Sequence, residues 1–530
     1  MRTRVHHLLE QAVTLHASRP ALTAGETTLT YEHAWRDVRA VAAGLVRLGV
    51  SPGDRVAVFL DKRIETVCSL LAASVADAVF VPVNPVFKPR QVTHVVADSG
   101  AAVLVTTGRR WATLADSLVG TGLRHVVLVD DDVPAAPGPV AVHSYATLSG
   151  HDPLHAPTPR PPDGDLAAIL YTSGSTGSPK GVVLSHRNLL VGAESVSTYL
   201  GNTADDVVLA ALPLSFDAGL SQVTTAMAVG AHVVLANYLV ARELVALCAR
   251  HRVTGLTCVP PLWIQLVDQQ WPAEATRSLR YFANTGGKMP AATLGRLRRV
   301  FPSAAPFLMY GLTEAFRSTY LDPAEVDRRP DSIGKAIPNA EILVLRPDGT
   351  ECGPGEEGEL VHRGPLVALG YWNDPERTAQ RFRPLPGAAD WQTPELAVWS
   401  GDTVVADDEG FLYFVGRSDE MIKTSGYRVS PTEIEEAAYQ TGLVRDAVAL
   451  GVPEEGLGHR IVLAVAGDGV DTAVLLKALR RDLPLFMVPA EVVVRAELPR
   501  SPNGKFDRVG LAREVAGMSM DRTEREGVAS

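Results

Sequence analysis

The sequence predicts an α/β protein: a large N-terminal domain of doubly wound sheets with a small β-rich subdomain, followed by a small, mobile α+β C-terminal domain. Three observations predict it. A chain of 530 residues exceeds what one hydrophobic core usually serves. Up to about residue 130, short all-apolar strands alternate with helical stripes, the pattern of parallel sheets covered on both faces. Past Val344 the pattern changes to short strands joined by Gly and Asp turns, and it changes again after Gly416.

The elements follow in order. From Thr30, the residues Trp35, Val38, Val41, Ala42, Leu45 and Leu48 recur at three- and four-residue spacing, a helical stripe that ends near Gly49. A turn at Ser51–Asp54 leads into the strand Val56–Leu60. The cycle repeats with a helix Ile64–Ala73, a strand Val79–Val83, a helix Pro89–Asp98, and strands Ala102–Thr106 and His125–Val129. Pro134–Pro139 and His151–Pro162 are Pro- and Ala-rich and read as loops or a linker. Alternation resumes at Leu166. Ser430 caps a helix, with Pro431 in its first turn and Glu433 closing a capping box. The predicted boundaries are 1–416 for the N-terminal domain, 417–421 for a hinge, 422–513 for the C-terminal lid and 514–530 for a frayed tail.

Composition excludes several classes. Charged residues make up 21% and apolar ones 46%, an ordinary globular balance that rules out disorder and low-complexity structure. Net charge is −10 with no long basic run, so nucleic acid is not an expected partner. No window reaches the roughly 18 apolar residues of a membrane span. The N-terminus lacks a signal-peptide core. Cys68, Cys248, Cys258 and Cys352 are widely spaced, which suits reduced thiols in a cytoplasmic protein.

The most informative string is Tyr171-Thr-Ser-Gly-Ser-Thr-Gly-Ser-Pro-Lys-Gly181, placed after the apolar strand Leu166–Leu170. Its glycines permit positive φ, so successive backbone N–H groups can face one anion, and Ser173, Ser175, Thr176 and Lys180 add donors. Such a loop suits polyphosphate. It is not a Walker A loop, because Pro179 stands where a glycine should precede Lys180 and Gly181 replaces the magnesium-binding hydroxyl. A flexible Gly/Ser linker is the plain alternative. Against it, Ser173, Gly174, Thr176, Gly177, Pro179, Lys180 and Gly181 together match one known pattern. On these residues the chain resembles the AMP-forming adenylating enzymes: acyl-CoA synthetases, freestanding amino-acid adenylation domains and beetle luciferases.

The resemblance runs from about residue 10 to 513 and carries further motifs. It implies that in Tyr310-Gly-Leu-Thr-Glu314 the ring of Tyr310 stacks on adenine, Thr313 meets the α-phosphate and Glu314 binds Mg²⁺. It adds Thr172, Gly287 and Gly311 to the ATP contacts. Ser400-Gly-Asp402 is similar to the family's ribose-binding segment, although Asp402-Thr403 would equally form an Asx turn. Gly416–Gly426 is similar to the interdomain junction: Arg417 on the ribose, Asp419 as hinge, Lys423 and Gly426 on the loop facing the site in the second half-reaction. Pro502-Asn-Gly-Lys505 is similar to the C-terminal motif whose lysine enters the active site; on its own it would be a solvated turn. His186 and the capping residue Ser185 read as structural, Asp130–Asp132 as a loop charge run, and the cysteines as small buried apolar residues.

The implied activity is ATP-dependent ligation of a small carboxylic or amino acid, as acyl-AMP with release of pyrophosphate, to the pantetheine thiol of CoA or of a separate carrier protein. The acyl pocket is expected near Phe216, Asp217, Ser221, Leu262, Ala283, Thr285, Met309 and Arg317. Asp217 either pairs with a substrate α-ammonium or N-caps a helix starting at Ala218. Arg317 either anchors a polar tail of the substrate or serves an internal ion pair. The strings SFDAGLSQ and YGLTEAFRSTYL are similar to exosortase-associated acyl-CoA ligases and to prolyl-type enzymes. A strictly carrier-dedicated amino-acid enzyme, a luciferase-like oxygenase and a non-catalytic nucleotide scaffold are the alternatives.

Overall fold

The computed structural model describes residues 2–130, 140–154, 162–172, 179–386, 391, 395–417, 421–467, 469–499, 506–508 and 510–516. The predicted loop Pro134–Pro139, most of His151–Pro162, the loop residues Ser173, Gly174, Ser175, Thr176 and Gly177, the hinge Asp419 and the motif lysine Lys505 lie outside the described residues.

Among the described residues the strands form three sheets, of fourteen, eight and five strands. The eight-stranded sheet has a parallel body: Arg55–Val58 lies between Val79–Pro82 and Ala101–Thr106, and His125–Leu128 and Ala141–Ser144 extend it. Leu166–Thr172 joins next to Val79–Pro82 and returns through an antiparallel hairpin to Lys180–Ser185. The largest sheet is likewise parallel through Pro20–Ala24, His232–Leu235, Val207–Ala210, Gly255–Cys258, Tyr281–Asn284 and Ala305–Tyr310. It turns antiparallel at Thr319–Leu321, and through Ser332–Ala336 it continues into Leu412–Arg417, Leu396–Ala406, Glu357–Arg363 and Glu341–Leu345. The β-rich region is therefore an extension of this sheet.

Helices cover the parallel sheets for local reasons legible in the chain. Tyr31–Arg47 starts where the Thr30 hydroxyl accepts from the His33 N–H, and it buries Tyr31, Ala34, Val38, Val41 and Leu45. His186–Tyr199 is capped by Ser185, which accepts from Asn188 N–H. His186 is buried and its Nδ1 accepts from Val5 N–H, a structural role; burial drops its pKa to about 3. One core cluster fuses strands of both large sheets with these helices.

The five-stranded sheet is built wholly from Ile422–Thr424, Tyr427–Val429, Asp446–Glu454, Gly458–Ala466 and Glu491–Arg495. It packs with Pro431–Gln440 and Thr472–Asp482 around its own core of Ile434, Ile461, Leu463, Leu475 and Leu479. The capping of Pro431–Gln440 differs from expectation. Ser430 accepts from Glu433 N–H, but the Glu433 side chain, buried, faces Gln91 and Arg90 of the N-terminal domain.

Candidate active site

A cleft of about 970 Å³ opens between the large sheets and the five-stranded domain. It lies beyond the carboxyl ends of the parallel strands, where open α/β sheets take ligands. Thr172 ends one strand, Thr285 and Gly286 follow another, and Gly311 to Glu314 follow a third.

Glu314 is the electrostatic centre. The Lys180 ammonium donates to its Oε1 at 3.2 Å and to the Tyr371 hydroxyl at 2.7 Å, and that hydroxyl donates to the same Oε1 at 2.6 Å. Arg428 from the C-terminal domain comes within 3.9 Å. Burial alone would raise the Glu314 pKa, but Lys180, Arg428 and Arg381 outweigh it and hold the carboxyl well below the usual range. Burial, with Arg428 and Arg381 adding to it, lowers Lys180 to about 8 against the pull of Glu314.

Next to it, the Tyr310 hydroxyl donates to Asp402 Oδ2 at 2.5 Å. Asp402 sits within the strand Leu396–Ala406 and not in an Asx turn; that strand pairs Asp402 with the backbone of Arg417. The Lys423 ammonium lies 5.8 Å above the Tyr310 ring. Thr172 Oγ1 is buried without a hydrogen-bond partner among the described residues and belongs to a cleft-lining residue. Gly286, one residue before the expected Gly287, lines the cleft; Gly287 gives its carbonyl to Asn284 Nδ2.

Around the expected acyl pocket the structure departs from expectation at the cap position of Asp217 and in the placement of Ser221, Met309 and Ala283. The helix Asp217–Val229 is preceded by Phe216 as its cap residue, so Asp217 opens the helix and does not N-cap it. The helix start lies so close to Pro213 that a Cβ on Gly219 would fall 1.9 Å from the Pro213 carbonyl oxygen. Asp217 is also already partnered: its Oδ2 accepts from Arg317 Nη1 at 2.5 Å, and its Oδ1 accepts from Thr313 Oγ1 at 3.4 Å. Of the two readings of Arg317, the internal ion pair is the one formed. Arg317 is aimed by Phe316, a bulky residue at φ +59°, fully buried and sitting where a Cβ on Gly192 would be. A backbone of this kind costs about 1–3 kcal/mol and persists only where the surroundings impose it. Phe216, Asp217, Leu262, Thr285 and Arg317 line the cleft, whereas Ser221 and Met309 line a separate small cavity behind Arg317. Ala283 is fully buried and lines neither.

The hairpin Ile422–Thr424 and Tyr427–Val429 turns through Ser425 at φ +52° and Gly426 at φ +80°. Two positive φ values make a type I′ turn. Lys423 and Arg428 are direct cross-strand partners, so their side chains share one face, and that face meets Tyr310 and Glu314. A Cβ on Gly426 would lie 2.7 Å from Val259 Cγ1. The ring of Tyr427 meets Phe216 edge-on at 5.2 Å.

Tyr371 and Arg428 escape the sequence reading. Tyr371 enters because Gly370–Tyr371 pairs with Val182 and Val183 next to Lys180, a tertiary fact with no local signal. Arg428 was accessible: Ser425-Gly426 is a two-residue hairpin signal, and counting across it from Lys423 gives Arg428.

A two-lobed α/β protein with a cleft beyond the carboxyl ends of its parallel strands, holding a lysine, an ionised carboxylate and a tyrosine-bonded aspartate, has the architecture of a ligand-binding enzyme. The chain belongs to the AMP-binding enzyme family: that family's model matches residues 9–372, and the AMP-binding enzyme C-terminal domain matches 433–505. It is 33% identical to an L-proline–[L-prolyl-carrier protein] ligase of Streptomyces coelicolor, covering 94% of each chain. It is 30% identical to a long-chain-fatty-acid–CoA ligase of Salmonella typhimurium, over 96% of this chain and 94% of that one. A solved o-succinylbenzoate CoA synthetase from Bacillus subtilis, a double mutant, shares the fold with a TM-score of 0.80 at 25% identity, covering 94% and 96%. The protein is thus an ATP-binding, AMP-forming ligase of acyl or amino acids. Among the described residues, no helix is long and apolar enough to cross a membrane.

Proposed function

We propose that this chain joins a small carboxylic or amino acid to ATP as acyl-AMP and passes the acyl group to the thiol of CoA or of a carrier protein, using one cleft for both steps. The observation that carries this reading is the hairpin face of Lys423 and Arg428 standing over Tyr310 and Glu314. A mobile C-terminal domain that presents different residues in each step explains why that face occupies the nucleotide end. The units are 1–416, the hinge 417–421 about Asp419, the lid 422–513 and the tail 514–530. The setting is cytoplasmic, in keeping with four free cysteines.

In the first step the substrate carboxylate attacks the α-phosphorus, an O–P bond forms, and the bond to pyrophosphate breaks. A carboxylate is already a nucleophile, so the chain's contribution is position and charge. Lys180 and Lys505 meet phosphoryl oxygens, Thr313 donates to the α-phosphate, and the unpartnered Thr172 hydroxyl, with Ser173, Gly174, Ser175, Thr176 and Gly177, cradles the rest. Tyr310 and Gly311 hold adenine, while Asp402 and Arg417 hold the ribose.

Mg²⁺ fits Glu314, whose ionised carboxylate meets Lys180, Tyr371 and Arg428 through Oε1 and borders the cleft. Among the described residues no cluster of three His, Cys, Asp or Glu side chains offers a protein-only cage, so the remaining ligands would be phosphates and water, as Mg²⁺ prefers. When bound, the ion neutralises phosphate charge. In the second step the thiol enters past Gly426, whose missing side chain lets the hairpin pack close to Val259; a C–S bond forms at the acyl carbon, the thiol proton passes to solvent and the C–O bond to AMP breaks.

The test is pyrophosphate release with ATP and a panel of acids, with and without CoA. Acid-dependent release that needs no thiol is the expected result; ATP turnover that no acid changes would overturn the proposal.

A further inference from the structure

Behind the cleft lies a cavity of about 20 Å³, lined by Ala218, Ser221, Gln222, Thr225, Thr257, Met309 and Arg317 with apolar neighbours. A space of that size holds about one water. Among the described residues, only Ala218 and Arg317 border both the cavity and the cleft. They are the partition between the two, and the Asp217–Arg317 bond at 2.5 Å fixes it. Next to the cavity, Tyr199 OH donates to Met309 Sδ at 2.9 Å and its ring stacks on Tyr320 at 4.3 Å.

The polar lining is unevenly satisfied. Gln222 is spent on the backbone of Leu212, Leu209 and Thr257, and Ser221 pairs with Thr225. Arg317 is 3% exposed and has donors left over. Its Nη1 serves Asp217 and the Phe316 carbonyl, its Nε is buried without a partner, and Nη2 forms no hydrogen bond among the described residues. A guanidinium carries five N–H donors in a fixed fork, so the Nε/Nη2 edge waits for an acceptor. A second carboxylate there would also face Asp217, whereas a carbonyl, amide or hydroxyl oxygen meets a pair of no net charge.

We propose that Arg317, held by Asp217, is the floor of the acyl pocket and selects short acids whose tail ends in an uncharged hydrogen-bond acceptor. This rests on the acid-activating reading above and names the substrate class for it. It sets the chain apart from its long-chain relatives, since an extended alkyl tail would have to pass through the partition.

The test compares short acids of similar length, 4-oxopentanoate, hexanoate and glutarate, with the longer decanoate, and in the α-amino series asparagine, norvaline, aspartate and proline. Pyrophosphate release and calorimetric binding of the same acids are both read, so that preference is measured even without turnover. In whichever series responds, the acceptor-bearing acid should exceed its alkyl counterpart by at least about tenfold, because a buried donor left unpaired is what rejects the wrong substrate. Decanoate should be the poorest. The double variant Asp217→Asn/Arg317→Leu, which leaves no unpaired charge, and Arg317→Lys, which keeps the ion pair but lacks the fork, should each erase the preference while melting as folded proteins. A wild-type preference for hexanoate, norvaline, proline, a dicarboxylic acid or decanoate would overturn the inference, as would folded variants that retain the original ranking. Selective binding without pyrophosphate release from any acid would uphold the pocket and sink the reaction.

Discussion

Two buried ion pairs flank Thr313 and Glu314, and they are built for different ends. Lys180–Glu314 is joined by Tyr371 and by Arg428 from the other domain, so its charges are shared among partners that a triphosphate and a moving lid can reorganise. Asp217–Arg317 is a two-member pair, aimed by a strained Phe316 and leaning on Thr313 and the Phe316 carbonyl. The contrast teaches that the Glu314 cluster is a charge network with several exchangeable partners, while Asp217–Arg317 is a closely held pair beside a strained backbone.

The sharpest way to break this contrast is to remove one member of the rigid pair. Arg317→Ala leaves the cleft-lining Asp217 uncompensated and empties a buried site, and should cost about 3 kcal/mol of stability, read as a fall in the urea midpoint; Asp217→Asn in the same background should restore part of it. Loss below about 1 kcal/mol would mean that the pair is as adaptable as its counterpart.

At the nucleotide end, Lys180→Met should leave the fold intact and lower adenylate formation by about 10²–10³-fold, measured as acid-dependent pyrophosphate release. A smaller effect accompanies Glu433, whose carboxyl is raised by burial to about 7 at the face it shares with Gln91 and Arg90. The folded chain keeps this proton where the unfolded chain, with its ordinary value of 4.5, has lost it. Its stabilising effect is therefore present below 4.5 and disappears as pH rises through 7. Glu433→Gln should raise the melting temperature at pH 8 and leave it nearly unchanged at pH 4.5, the difference being about 1–3 kcal/mol.

The smallest effect is the pH response of Lys180. With its pKa lowered to about 8, the ammonium loses its proton as pH rises through 8, and KM for ATP should climb there by up to about tenfold. Folding moves the other way. The unfolded chain keeps the proton up to 10.5, so this group's contribution to stability improves between 8 and 10.5. A KM for ATP flat from pH 7 to 9.5 would show that the network fixes the lysine's charge.

The same contrast governs what the sequence could reveal. The neighbourhood of Glu314 is written in a contiguous string, because Tyr310–Glu314 is one strand end and the turn after it. The helix Tyr31–Arg47 was readable for the same reason, with its Thr30 cap and its stripe both local. The acyl end was not. Whether Asp217 greets a substrate or a neighbour depends on Arg317, a hundred positions away, and the positive φ of Phe316 has no signature in composition. Ser221 and Met309 were expected in the pocket, and only the closed partition shows that they lie behind it.

One cleft serving two steps through a mobile lid is the central claim, and separate half-reactions on two variants test it most directly. Lys505→Ala should lose acyl-AMP formation while still transferring a supplied acyl-AMP to a thiol. Gly426→Ala, whose Cβ meets Val259, should form acyl-AMP normally and lose the transfer. Equal damage to both half-reactions in both variants would contradict the account.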